Sequence, residues 1–206
     1  MRPVAFGAVQ SQRTPLPGLI DTDSKLGRVT WQTRKAAIVL AAQFHAQTRM
    51  YLRVRSGRRT CAEQNAIYAK GRTTYLGSKP ETYAQGCQSW HVLGRAIDFD
   101  VVRNPDGSDK TDLCETYALM GQMWEGLTGG TWGGRFRGFG PCGDAGHVEN
   151  TKGVSHSALC PDPTACATID ALVDADIADP KVPAWPYALG AFLVVGAAAL
   201  VLSARK

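Results

Sequence analysis

SWHVLGRAIDFD, residues 89–100, decides how this chain is read, because a turn around Gly94 runs straight into Ala96-Ile97-Asp98-Phe99-Asp100-Val101-Val102. Apolar and polar residues alternate there, which predicts a strand over 96–102. The Asn-Pro-Asp-Gly turn at 104–107 ends it. His91 falls on the turn entering the strand and Asp98 on the strand itself, with Gly94 free to bend the backbone between them.

Upstream, Ala37, Leu40, Ala41, Phe44 and Thr48 recur at helical spacing, so a helix is expected from about Thr30 to Met50. Tyr-Leu-Arg-Val-Arg at 51–55 alternates as a strand does. Thr60 and Glu63 make a capping box for a helix through Lys70, stopped by Gly71. Downstream, a helix is expected from about Asp112 to Leu127, then a Gly-rich loop and a short strand at His147 to Asn150. This mixed order predicts an α+β fold, a small antiparallel sheet with flanking helices, plus a C-terminal hydrophobic helix. The expected division is an irregular segment at 1–29, the main domain at 30–159, an acidic linker at 160–183, an apolar helix at 184–202 and a basic tail at 203–206.

Charge is spread unevenly. Up to residue 159 there are 20 Lys and Arg against 13 Asp and Glu, whereas Asp162, Asp170, Asp174, Asp176 and Asp179 make the next stretch acidic. A basic face attracts polyanions such as nucleic acid, acidic lipid or an anionic cell wall, or serves only as a solubilising surface. Six cysteines without a CxxC pair point to disulfides in an oxidising compartment, the alternative being buried free thiols. Cys160 with Cys166, closing a short Pro-containing loop, is the one local pair expected.

The opening MRPVAFGAVQ lacks the apolar core of a secretory signal. Ala184 to Leu202 is uncharged and, as a helix, about 28 Å long, close to a bilayer core. Trp185 and Tyr187 at one margin and Arg205 and Lys206 at the other suit a transmembrane segment. The alternative is a hydrophobic tail helix buried in an assembly.

The chemistry lies in three stretches. Catalytic zinc takes His, Asp or Glu ligands and keeps a position open for water. His91, Asp98 and His147 could supply that set, with Asp144, three residues before His147, near enough to act as general base. Glu149 shares a strand face with His147 by alternation, which suits orienting it.

These residues resemble a known family, the zinc peptidases of peptidoglycan that include the D-alanyl-D-alanine carboxypeptidases and the phage L-alanyl-D-glutamate endopeptidases. The pattern SxHxxGxAxD stands as Ser89, His91, Gly94, Ala96 and Asp98, and WGG with a later DxxHxE as Trp132, Gly133, Gly134, Asp144, His147 and Glu149. SGRRTCAEQNAIYAKGRT at 56–73 is similar to the family's SGYRSxxEQxxLYxxGRT. The resemblance covers about residues 30 to 152 and departs from the pattern at Val148, where an aromatic is usual, and at Arg58, where tyrosine is common.

The resemblance implies zinc on His91, Asp98 and His147, Asp144 as catalytic acid/base, and Arg59 polarising the scissile carbonyl or holding a substrate carboxylate. Gln64 and Ser89 would help line the site. Cys142 stands near enough in sequence to be a disulfide partner or an extra ligand, and His156 lies beyond the motif as a bystander. The implied function is hydrolysis of a peptide bond in the peptidoglycan stem peptide, L-alanyl-D-glutamate cleavage first and D-alanyl-D-alanine cleavage second. A phage lysin or virion-associated wall peptidase is the implied setting, at a membrane or in a virion and acting on the cell wall. No nucleic-acid partner is expected. The competing expectation is a wall-binding or virion structural protein that keeps the fold without turnover.

Overall fold

The computed structural model describes residues 16–160, 162 and 166–178. Its centre is a five-stranded sheet of order β1-β2-β3-β5-β4, made by β1 (Leu19–Ile20), β2 (Tyr51–Ser56), β3 (Ala96–Val102), β4 (Thr131–Trp132) and β5 (His147–Glu149). The sheet is mixed rather than purely antiparallel, because β1 pairs in parallel with β2 while every other pairing is antiparallel. The segment expected to be irregular therefore supplies an edge strand. Two residues are too short a run for alternation to show.

Alternation on the long strands sorts the sheet into two faces. Leu52, Val54, Ile97, Phe99, Val101 and Val148 belong to the main apolar core. Helix α1 (Trp31–Thr48) covers that face with Ala37, Leu40, Ala41 and Phe44, and helix α3 (Cys114–Thr128) with Tyr117, Met120 and Trp124. Trp124 is fully buried, and its indole N–H donates to the Glu149 carbonyl at 2.9 Å, pinning β5 to α3. The opposite face carries Arg53, Asp98, Asp100, His147 and Glu149, and there the buried groups are polar.

Helix α2 (Cys61–Ala69) begins with the expected capping box: Thr60 Oγ1 accepts from the Glu63 N–H at 3.2 Å and the Glu63 carboxylate from the Thr60 N–H at 2.6 Å. A four-residue helix, α4 (His156–Leu159), follows β5. Between 160 and 183, read from sequence as a linker, lies a further helix, α5 (Cys166–Ala178). Ile169 and Val173 on α5 are buried in a second apolar cluster with Cys61, Cys87, Val92, Leu93 and Cys160, and Ile177 packs against it.

The disulfides also correct the sequence reading. Cys160 and Cys166 do not pair with each other; Cys61 bonds Cys166, Cys87 bonds Cys160 and Cys114 bonds Cys142, with Cα–Cα distances of 5.3, 5.7 and 5.4 Å. These bridges span 105, 73 and 28 residues. Closing loops of that size removes about 3.5 to 5 kcal/mol of unfolded-chain entropy apiece in the chain-entropy account. Cys142 is thereby committed to sulfur and is no metal ligand.

Arg58, the departure from the family's tyrosine, is explained by α5. Its side chain is 3% exposed and its guanidinium bonds Asp170 at 2.9 Å and Asp174 at 3.1 Å, while Asp170 also accepts from the Cys61 N–H at 3.1 Å. The acidic stretch thus neutralises a buried arginine. Among the described residues no helix is long and apolar enough to cross a membrane, and the span expected at 184–202 lies outside them.

Candidate metal centre

β3 and β5 set Asp98 directly opposite His147 in an antiparallel pair. The turn before β3 brings His91 to the same point: Gly94, at φ 66°, donates its N–H to the His91 carbonyl at 3.1 Å and closes the bend. Asp98 Oδ1 then lies 3.2 Å from His91 Nε2 and 2.9 Å from His147 Nδ1, and the two ring nitrogens are 3.2 Å apart. All three side chains are buried.

The outer ring nitrogens fix what the inner ones offer. His91 Nδ1 donates to the Gly57 carbonyl at 2.7 Å, and His147 Nε2 donates to Glu149 Oε1 at 3.0 Å. A neutral imidazole has one N–H, so His91 Nε2 and His147 Nδ1 face Asp98 Oδ1 as lone pairs. Three acceptors converging in a buried place require a cation among them. Without a metal the proton takes that part: burial alone would lower the pKa of His147, but its bonds to Asp98 and Glu149 outweigh this and push it up to about 10. For Asp98, burial works to raise the pKa, and the charges and hydrogen bonds of His91 and His147 overcome it, holding the carboxyl well below the usual range.

A zinc ion fits the donor set. Ligands at about 2.0–2.2 Å from zinc stand about 3.3 Å apart on a tetrahedron, against the 2.9–3.2 Å between these three atoms. The His-Asp-His group could hold a metal ion, its ligand atoms all lying within 4.8 Å of one another.

Asp144 reaches the same cleft through the glycines of the WGG stretch. The Asp144 N–H donates to the Gly133 carbonyl at 2.9 Å, and the His147 N–H to the Asp144 carbonyl at 3.0 Å. A Cβ on Gly133 would run into Asp144 and His147, and one on Gly134 or on Gly121 of α3 into the Trp132 ring. Trp132 is slotted between those glycines and donates its indole N–H to the Ala145 carbonyl at 2.8 Å. Burial pushes the Asp144 carboxyl up, and Asp98 adds to this while His147 and Arg55 oppose it.

Arg59 is largely occupied. Its nitrogens donate to Ser56 Oγ at 3.2 Å, Gln64 Oε1 at 3.1 Å and Asp98 Oδ2 at 2.9 Å. Gln64 is fully buried and anchored by Nε2 to the Ala84 carbonyl at 2.8 Å, so it braces Arg59. Ser89 lines the cleft and its Oγ accepts from the His91 N–H at 3.3 Å. His156 packs edge-on against Trp90 and bonds the Gln88 carbonyl at 3.1 Å. His45 bonds the Met50 carbonyl at 2.9 Å.

The cleft has a volume of about 520 Å³ and holds residues that the motifs do not name. Tyr83 and Phe139 meet edge to face across it with ring centroids 6.0 Å apart, and Phe136 packs 5.8 Å from the His147 ring. Arg55 is the other addition. Spacing gives no signal for the aromatics, which sit on irregular loops, whereas Arg55 stands one residue before the Ser-Gly of a recognised block.

No family model matches the chain. Among solved structures it is similar to an L-Ala D-Glu endopeptidase from Serratia marcescens, with 17% sequence identity and a TM-score of 0.44, over 62% of this chain and 84% of that one.

Proposed function

We propose that the chain is a zinc-dependent peptidase of the peptidoglycan stem peptide, cutting the L-alanyl-D-glutamate bond at the cell wall. The observation that carries this reading is the meeting of His91, Asp98 and His147 as three inward lone pairs, with Asp144 on the same cleft. Zinc held there would supply a Lewis acid that polarises a carbonyl and acidifies water at neutral pH.

The chain's own residues supply the rest. Gly57 and Glu149 keep the imidazoles of His91 and His147 in the tautomers that ligate, and Arg59 holds the outer oxygen of Asp98 so that the inner one stays aimed at the site. As water adds to the scissile carbonyl carbon, its proton passes to Asp144; the C–N bond then breaks and Asp144 returns the proton to the departing nitrogen. Burial suits Asp144 to this work by raising its basicity. Arg59 has N–H donors beyond the three bonds it makes, and these would meet the carbonyl oxygen as charge builds on it. Gln64 and Ser89 keep Arg59 and His91 in place.

Mass analysis of muropeptides after digestion of purified peptidoglycan tests this. New L-alanine C-termini and D-glutamate N-termini are expected, lost with chelator and restored by zinc. Free D-alanine alone would reject the endopeptidase bond in favour of a carboxypeptidase, and intact wall with zinc bound would favour a wall-binding protein without turnover.

A further inference from the structure

β2 and β3 pair residue for residue from Tyr51↔Val102 to Val54↔Phe99, but the next partner of Asp98 is Ser56. Arg55 is the extra residue of a β-bulge. Bulges are common beside sites, and Arg55, on the same face as Arg53, lines the cleft that holds His91, Asp98, Asp144 and His147.

The other strand arginine on that face is spent: Arg53 bonds Asp100 and the Gly107 carbonyl at 2.8 Å each. Three of the five N–H donors of Arg59 are taken as described, one of them by Asp98. The Arg55 side chain makes no hydrogen bond among the described residues; its nearest opposite charge is Asp98 Oδ2 at 3.8 Å, an oxygen that Arg59 already holds at 2.9 Å. Its side chain is 49% exposed. A guanidinium with its planar fork of donors unused, one carboxylate's width from the proposed metal, is built to receive an anion.

The proposed substrates present that anion at a fixed place. Because D-glutamate is linked onward through its side-chain carboxyl, its α-carboxylate stays free on the carbon attached to the scissile nitrogen. A terminal D-alanine carries a free carboxylate at the same position. We propose that Arg55 grips the free α-carboxylate of the residue on the leaving side of the cut bond, so that a carboxylate is accepted there and a carboxamide is rejected. Resting on the peptidase reading, this moves carboxylate recognition from Arg59 to Arg55 and leaves Arg59 to hold Asp98 and meet the carbonyl oxygen.

Isothermal titration tests it on the zinc-loaded full chain carrying Asp144→Asn, so that ligands are not consumed. Two ligand pairs are used, a γ-linked L-alanyl-D-glutamyl peptide and its α-amide, and a peptide ending in D-alanyl-D-alanine and its terminal amide. The acid should bind about tenfold to a hundredfold more tightly than its amide in one pair, the worth of a charge-assisted contact, and the pair that shows it identifies the source of the carboxylate. Adding Arg55→Ala should bring the ratio close to one by weakening the acid alone, and Arg55→Lys should keep part of it. A ratio near one with Arg55 present, a ratio that survives Arg55→Ala, or equal weakening of acid and amide, which would mark Arg55 as support for Asp98, each overturns the assignment. Acid-selective binding without cleavage of the wall by the unmodified chain would sink the peptidase reading instead.

Discussion

β3 is buried along its whole length, yet its two faces live by different physics. Ile97, Phe99 and Val101 point into an apolar core, where burial itself is favourable and deletion leaves a cavity. Asp98 and Asp100 point the other way, where burial is costly and is offset only by partners: the two histidines and Arg59 for Asp98, Arg53 and Lys110 for Asp100. One face holds the molecule together and the other could hold a cation. Changes on the site face should therefore cost chemistry first, whatever stability they cost by unpairing buried charges, and changes on the core face should cost stability first.

The largest effect is expected from His147→Ala, which should abolish bound zinc and hydrolysis together while the circular dichroism of the fold stays unchanged. Equal zinc content in the variant and its parent would break the comparison at its centre. Asp144→Asn should retain zinc and lose turnover by roughly 10²- to 10⁴-fold. Near-normal turnover would hand the proton to another group, with Glu149 the first suspect.

On the core face, Phe99→Ala should cost about 3–5 kcal/mol in denaturant unfolding. Phe99 is fully buried and its N–H takes the Gly146 carbonyl at 2.8 Å. A variant of normal stability that no longer binds zinc would show that the two faces cannot be separated.

The smallest effect is in the pH dependence of the metal-free protein. His147 is raised to about 10 in the fold, from about 6.5 unfolded, so its contribution is complete below about 6.5 and is lost as pH rises through 10. Asp98 is depressed, so its contribution is present above its unfolded pKa and lost as acid approaches the folded value. The thermal stability of metal-free protein should thus fall between about pH 6.5 and 10, and zinc, which would displace the proton of His147, should flatten that fall. A metal-free Tm that climbs across this window would contradict the cation requirement of the site face.

Local rules made much of this legible. The α2 capping box, the alternation of β2 and β3, and the glycine bend after His91 each depend on residues close in sequence, and the structure shows all three. The spacing of Ile169, Val173 and Ile177 on α5 carried a helical face too, but the acids between them, Asp170, Asp174 and Asp176, suggested a solvated linker. The charges of Asp170 and Asp174 in fact meet Arg58.

By itself the sequence determined which residues could ligate, since only a side chain's chemistry makes it a donor, and it determined the strands and helices whose periodicity spans several residues. The tertiary structure decided what depends on contacts between distant segments. It set Asp98 opposite His147 across forty-nine residues, aimed the histidine lone pairs inward by way of Gly57 and Glu149, and joined Cys166 to Cys61 rather than to Cys160. It also freed Arg55 while it tied up Arg59. Proximity between distant residues comes from packing the whole chain, because the entropy of closing such loops is recovered only when the core and the sheet form together.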